Sequence, residues 1–144
     1  MIWLLRHGDA EDGSPDEQRR LTEKGERQAR AAGAALKALG VEPSACLSSP
    51  RVRAADTAKL ACEPLGGEVE LVEALSGGSF DPEELAAGHD GDVILVGHEP
   101  DFSEAVQRLT GARIDLKKGG VAAVENGELR ALLRPKELKA VAGH

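Results

Sequence analysis

Aromatic side chains are scarce in this 144-residue chain. They make up 2% of the residues, as Trp3, Phe80 and Phe102, and there is no Tyr. Proteins that bind single-stranded nucleic acid stack the bases on aromatic rings, so this composition argues against that function. The formal charge is −7 and no long run of Lys or Arg occurs, which also argues against a surface for nucleic acid or for an anionic membrane.

Long apolar runs are missing too. Runs such as Val93–Val96 fall far short of the about 20 residues that span a membrane. The first residues, MIWLLRHGDA, lack a basic leader, so we expect a cytoplasmic protein. The two cysteines, Cys46 and Cys62, do not have CxxC spacing, and we therefore expect buried free thiols rather than a disulfide or a metal site.

The pattern of the chain predicts an α/β protein with one domain, residues 1–144. Short apolar runs alternate with segments of helical period, as expected for a layered α/β fold. Strands are predicted at Ile2–Arg6, Ala45–Ser48, Val69–Val72 and Asp92–Val96, and a hairpin at Gly120–Glu125 and Glu128–Leu133 around Asn126–Gly127. Helices are predicted from Leu21–Thr22 to Gly40, from Ser49–Pro50 to Cys62, over Pro82–Ala87 and from Pro100. In the first of these, Ala29, Ala32, Leu36 and Leu39 share one face. The tail after Pro135 is expected to form a short helix or to fray.

Three strand ends carry the side chains that could do chemistry. Open α/β sheets place their ligands at such ends. The first strand ends in Arg6-His7-Gly8, where we expect the glycine to let a ligand approach the backbone. The second leads into a helix entry with Arg51 and Arg53, and the fourth is followed by His98.

Arginines at the start of a helix lie next to the positive end of the helix dipole, so they are unfavourable there unless an anion compensates them. The alternative is that Arg51 and Arg53 point to solvent or pair with Asp56 or Glu104. Residues two apart are separated by about 200° around a helix, so we expect only one of the two arginines to face the site.

Arg6, His7, Arg53 and His98 together predict one locally cationic pocket in an acidic protein. The natural occupant of such a pocket is a phosphoryl group held by guanidinium groups. The other two histidines, His89 and His144, lack the spacing of a metal triad, so no metal site is predicted.

Five short motifs follow one another along the chain: Arg6-His7-Gly8, Leu21-Thr22-x-x-Gly25, Ser49-x-x-x-Arg53-Ala54-x-x-Thr57, Leu71-x-Glu73 and Gly97-His98. Their order resembles the histidine phosphatase superfamily, which includes the phosphoglycerate mutases. The short chain and its Arg-His-Gly-Asp-Ala start are most similar to the small SixA-type branch of protein phosphohistidine phosphatases. The match extends from Ile2 to about Leu138. The resemblance implies three layers, with a mixed, mostly parallel sheet flanked by helices and without the lid that the mutases insert.

The resemblance also implies the roles of the site residues. His7 is expected to be the nucleophile, with one ring nitrogen free to attack phosphorus and the other held by a backbone carbonyl. Arg6, Arg53, His98 and Gly8 are expected to hold the phosphoryl oxygens, with no metal and no cofactor. The cationic neighbours are expected to lower the pKa of His7.

The identity of a general acid stays open at this point. A leaving alkoxide needs a proton, whereas a leaving imidazole needs less help. Glu73 matches the acid of the mutase-like branch, but the Ala-Leu-Ser-Gly-Gly that follows it differs from the aromatic stretch of the mutases. Glu99 and Asp9 compete for the role, and each of the three carboxylates could instead face solvent or cap a helix.

We therefore predict a phosphatase that removes phosphate from phosphohistidine on a signalling protein. The segment of about 20 residues between Glu73 and Val93 is too short for a lid, so the pocket should be open to a protein substrate and to water. The alternatives are a broad phosphomonoesterase for small molecules, a mutase, and a module that only recognises phosphate.

Overall fold

The computed structural model describes residues 1–143, so the expectation for His144 lies outside the described residues. A six-stranded sheet has the order β3-β2-β4-β1-β5-β6. The strands are β1 (Ile2–Arg6), β2 (Pro43–Ser48), β3 (Val69–Leu71), β4 (Asp92–Gly97), β5 (Val121–Glu125) and β6 (Glu128–Leu133). The helices are α1 (Glu23–Ala38), α2 (Val52–Cys62), α3 (Pro82–Ala86), α4 (Asp101–Thr110) and α5 (Pro135–Ala142).

The sheet is mixed and mostly parallel, as expected. β1 to β4 run parallel to one another, whereas β5 pairs antiparallel with β1 and with β6. The carboxyl ends of β1, β2 and β4 therefore meet at one edge. This arrangement brings together the three chain segments that the sequence singled out.

Helices cover both faces of the sheet. One apolar cluster joins the sheet to α1, α2 and α5, with Leu36, Ala58 and Leu138 fully buried. The other joins it to α4, with Phe102 and Val106 buried. Because the central strands are covered on both sides, β4 is a continuous apolar run with Val93–Val96 buried.

Local signals explain how these elements begin and end. Thr22 caps α1 by accepting a hydrogen bond from the Gly25 N–H at 3.0 Å, as its residue type favours. Asn126 and Gly127 both have positive φ, 51° and 73°, which is the type I′ turn predicted for the hairpin. Leu39 does not continue the helix face of Ala29, Ala32 and Leu36 as expected, because α1 ends at Ala38 and Leu39 is 49% exposed.

The start of α2 also differs from the prediction. Ser49 and Pro50 are not its first residues, since the helix begins at Val52 and its N-cap is Arg51. The Ser49 hydroxyl still accepts a hydrogen bond from the Arg51 N–H at 3.1 Å, but it closes the turn before the helix. Arg51 is thus extended, with φ −61° and ψ 136°.

Among residues 1–143, no helix is long and apolar enough to cross a membrane.

Candidate active site

His7 and His98 lie side by side at the carboxyl edge of the sheet. His7 follows β1 and His98 follows β4, which are paired in parallel with Arg6 opposite Gly97. The two rings are 5.3 Å apart between centroids and tilted by 55°. His7 is 7% exposed and His98 is 6% exposed. The fold thus places two buried imidazoles next to each other at this edge.

A backbone carbonyl fixes the protonation of His7. Its Nδ1 lies 2.7 Å from the carbonyl oxygen of Gly8, and since a carbonyl can only accept, Nδ1 carries the hydrogen. In the neutral ring, Nε2 then holds the lone pair. This nitrogen has no hydrogen-bond partner among the described residues, and it is not fully enclosed. His7 therefore presents a free basic nitrogen to the pocket.

Both imidazoles are neutral at pH 7. Burial lowers the pKa of His7 to about 4, with smaller effects of Arg53, Arg6 and Lys118 and an opposing hydrogen bond to Gly8. Cationic neighbours were expected to lower this pKa, and they do, but desolvation is the larger cause. Burial also lowers the pKa of His98 to about 3, helped by the neighbouring His7 ring. His98 therefore contributes a neutral ring, and the positive charge of the pocket comes from guanidinium groups.

The two guanidinium groups are each anchored at one end. Arg6 Nη1 donates to the carbonyl oxygen of Leu116 at 3.0 Å. Arg53 Nη1 donates to the carbonyl oxygen of Asp16 at 2.8 Å, and its Nη2 donates to the Asp16 carboxylate at 3.1 Å. In both residues Nε is buried and has no partner.

Unsatisfied buried atoms are concentrated in this pocket. Among residues 1–143, the buried side-chain nitrogens and oxygens without a hydrogen-bond partner are Arg6 Nε, Arg53 Nε and His98 Nδ1. Leaving such groups unpaired costs about 1–3 kcal/mol each. All three belong to residues that neighbour His7, and phosphoryl oxygens are acceptors of the kind that such nitrogens lack.

Asp16 is a member of this site that the sequence analysis did not single out. Its carboxylate also accepts from Arg51 Nη1 and, at 3.0 Å, from Arg19 Nη1. The sequence feature that could have indicated Asp16 is its position three residues before Arg19. It lies in a loop, however, and local sequence patterns do not predict the shape of that loop. The helical angle behind the expectation that only one of Arg51 and Arg53 faces the site does not apply, because Arg51 precedes the helix; both guanidinium groups reach Asp16.

Gly8 serves packing rather than ligand approach. A Cβ atom on Gly8 would lie 2.5 Å from the carbonyl oxygen of Gly25, so the glycine lets the chain after β1 pass close to the start of α1. The Gly8 N–H donates to the Thr57 hydroxyl at 3.1 Å. The prediction that Gly8 binds phosphate is corrected accordingly, because its N–H is already engaged.

Comparisons with known proteins agree with this geometry. The family model of the histidine phosphatase superfamily (branch 1) matches residues 2–84. An uncharacterized protein of Picosynechococcus sp. is 34% identical over an alignment of 143 positions that covers 90% of this chain and 87% of that protein. The chain belongs to the histidine phosphatase superfamily.

Solved structures place this histidine phosphatase near the SixA proteins. The protein histidine phosphatase SixA, complexed with tungstate, has a TM-score of 0.81 and 25% identity, over 96% of this chain and 99% of the other. A candidate phosphohistidine phosphatase SixA from Nakamurella multipartitia has a TM-score of 0.74 and 26% identity, over 93% and 95% of the two chains. The fold is that of the phosphoglycerate mutase-like proteins, and the protein is a phosphatase.

The three acids weighed from the sequence have other partners in this histidine phosphatase. Glu73 is exposed and accepts a hydrogen bond from the Ser76 hydroxyl at 3.1 Å. Glu99 accepts from the N–H of Ser103 in the first turn of α4 at 2.7 Å, and also from its hydroxyl. The Asp9 carboxylate accepts from the Thr22 hydroxyl at 2.8 Å. None of these hydrogen bonds reaches His7 or His98.

Within residues 1–143, no three His, Cys, Asp or Glu side chains come close enough together to hold a metal ion.

Proposed function

We propose that this phosphatase removes the phosphoryl group from phosphohistidine on a signalling protein, through a phosphohistidine intermediate on His7. The observation that carries the proposal is the set of three buried unpaired nitrogens, Arg6 Nε, Arg53 Nε and His98 Nδ1, on residues that neighbour His7. The two arginine nitrogens are donors for phosphoryl oxygens, as His98 Nδ1 is when it carries a hydrogen, and they lie beside a nucleophile for phosphorus. The likeness to SixA, a protein histidine phosphatase, supports the same substrate class.

In the first step, His7 Nε2 attacks phosphorus and the P–N bond of the substrate breaks. The hydrogen on Nδ1 stays with the Gly8 carbonyl, so no proton has to leave the nucleophile. Arg6, Arg53 and His98 stabilise the charge on the equatorial oxygens. The leaving imidazole departs neutral when its second ring nitrogen is already protonated. Water then attacks phosphorus, the bond between phosphorus and His7 Nε2 breaks, and inorganic phosphate leaves with the oxygen and the protons of that water.

The environment of the carboxylates favours phosphohistidine over an alkyl phosphate. The acid nearest to the arginines, Asp16, has its pKa lowered, first by its hydrogen bond to Arg19 and further by Arg53 and Arg51. It therefore stays ionised at neutral pH and cannot protonate an alkoxide. A leaving imidazole does not require that proton, so the pocket suits a phosphoramidate.

The chain between β3 and β4 favours a protein as the phosphate carrier. This segment contains the short helix α3. Phe80, which precedes α3, and Leu85, within it, pack in the apolar cluster on the side of the sheet that α4 covers. These residues are therefore used in the core rather than in a cover for the pocket. An open pocket admits a side chain of another protein and the water that completes hydrolysis.

A covalent trapping experiment tests the intermediate. The protein is mixed with a labelled phosphohistidine donor, quenched at alkaline pH and mapped. We expect a transient, acid-labile label on His7 that is absent in His7→Ala and present in His89→Ala, which alters an exposed histidine. Turnover of the donor without any label on His7 would refute the mechanism, and binding without turnover would identify a recognition module.

A turnover panel tests the substrate. A phosphorylated histidine-transfer domain, free phosphohistidine and alkyl phosphomonoesters are compared side by side, with wild type and Glu73→Gln. We expect the phosphorylated domain to be turned over fastest, and we expect the Glu73→Gln variant to turn it over at the wild-type rate. Faster turnover of the monoesters would assign a broad phosphomonoesterase instead, and transfer to a second hydroxyl would assign a mutase.

A further inference from the structure

The pocket contains a buried hydroxyl next to His98. Ser49, which directly follows β2, is fully buried, and its Oγ lies 2.7 Å from His98 Nε2. The mechanism described above gives this serine no task. Because β2 and β4 are neighbours in parallel register, with Ser48 opposite Val96, the residue after β2, Ser49, lies beside the residue after β4, His98.

The other contact of Ser49 restricts how its hydroxyl can be used. The Arg51 N–H donates to Ser49 Oγ at 3.1 Å, so this oxygen already accepts one hydrogen bond from a group that can only donate. The single hydroxyl hydrogen remains free to point elsewhere. The acceptor within reach is His98 Nε2, and a hydrogen bond to it satisfies both groups.

The opposite arrangement of hydrogens would spoil the pocket. If His98 Nε2 carried the hydrogen, the ring would donate to Ser49, and Nδ1 would hold a lone pair. Nδ1 is buried without a partner, and a lone pair on it would repel a phosphoryl oxygen that His98 is proposed to hold. A hydrogen on Nδ1 turns the same atom into a donor for that oxygen.

We infer that Ser49 is a positioning residue, whose hydroxyl donates to His98 Nε2 and thereby fixes the tautomer with a hydrogen on Nδ1. His98 then acts as a neutral, directed hydrogen-bond donor. The inference rests on the proposed role of His98 in holding the phosphoryl group. The tautomer itself is a property of the empty pocket and can be measured without any substrate.

The chain offers a matched control in the preceding residue. Ser48 is also fully buried, but its hydroxyl donates to the carbonyl oxygen of Ser49 at 2.9 Å rather than to a histidine. Ser48→Ala and Ser49→Ala therefore remove the same group from adjacent buried positions. Only the second removes a hydrogen bond to His98.

Long-range ¹H–¹⁵N correlation spectra of the ¹⁵N-labelled, phosphate-free protein report which nitrogen of His98 is protonated, with His98→Gln used to assign its signals. In wild type and Ser48→Ala we expect a hydrogen on Nδ1, and in Ser49→Ala a shift toward the form with a hydrogen on Nε2. A wild-type spectrum with the hydrogen on Nε2 would overturn the inference, whether or not the Ser49 variant folds.

The second readout is affinity for tungstate, an inert analogue of the phosphoryl group. Ser49→Ala should weaken binding about tenfold, the effect of losing one hydrogen bond to a charged group, while Ser48→Ala leaves it unchanged. Equal affinities for wild type and Ser49→Ala would refute the positioning role. The trapping experiment on wild-type His7 tests the proposed function and does not depend on the affinities of the serine variants. Failure of this inference and failure of the proposed function can therefore be told apart.

Discussion

Acid should destabilise this protein in a pH range where most proteins are still stable, because two imidazoles are buried without charge. The folded-state pKa is about 4 for His7 and about 3 for His98, against 6.5 for an ordinary histidine. Below pH 6.5 the unfolded chain binds two protons that the folded chain does not. The two histidines therefore leave the free energy of unfolding at its full value above pH 6.5 and lower it as the pH drops toward 4.

The size of the effect follows from these values. At pH 5 both histidines are protonated in the unfolded chain and neutral in the fold. pH 5 lies 1.5 pH units below the ordinary pKa of 6.5, and each unit lowers the free energy of unfolding by about 1.4 kcal/mol per imidazole. The loss is therefore about 2 kcal/mol for one imidazole and about 4 kcal/mol for both. A domain is stable by about 5–15 kcal/mol, so the loss is a large share of the total.

Urea unfolding at pH 7.5 and pH 5, in buffer without phosphate, measures this difference. His98→Gln removes one buried imidazole, and we expect the loss between the two pH values to shrink by about 2 kcal/mol. His89→Gln, at an exposed histidine, should leave the loss at its wild-type size. A free energy of unfolding that is equal at both pH values in the wild type would refute the burial argument.

Three further predictions concern the side chains around the pocket. Arg53→Lys should slow turnover about 100-fold, because an ammonium cannot keep the anchor on Asp16 and also present the donor of Nε; comparison of kcat with wild type checks this. Asp16→Asn should lower kcat about tenfold, since Arg53 loses the carboxylate that positions it, and an unchanged kcat, or an equal drop in Asp12→Asn on the same loop, would contradict that reasoning. Gly25→Ala should lower the free energy of unfolding by about 3 kcal/mol in a urea titration, because its Cβ would lie 2.0 Å from the carbonyl oxygen of Asp9, and an unaltered midpoint would show that the contact relaxes.

Local chemistry made most of the fold predictable. β1 was predicted at its observed bounds, and α1 and the hairpin follow from residues whose effect is local, namely Thr22 as a cap and Asn126–Gly127 as a turn. Parallel strands in a layered fold bring their carboxyl ends to one edge, so proximity of His7 and His98 could be expected from β1 and β4 alone.

Long-range pairing explains what the sequence analysis missed. The bond between Arg53 and Asp16 joins residues 37 positions apart, and that between His98 and Ser49 joins residues 49 apart. Neither pair has a periodic or spaced signature, since each depends on how a loop or a strand end is placed by the whole fold. The angle assumed for Arg51 does not apply for a related reason, because it presumed a helix that begins two residues earlier than the chain forms it.

Neutral histidines and permanently charged arginines divide the work of the pocket in a way that suits phosphoryl transfer near neutral pH. A protonated His7 could not attack phosphorus. The arginines that attract the substrate also disfavour protonation of His7, so the attraction of the anion and the nucleophilicity of His7 do not oppose each other. A guanidinium group carries its positive charge by its own chemistry. From pH 5 to 8 the protein side of the empty pocket therefore keeps one charge state, and any change in anion affinity over that range has to come from ionisation of the ligand.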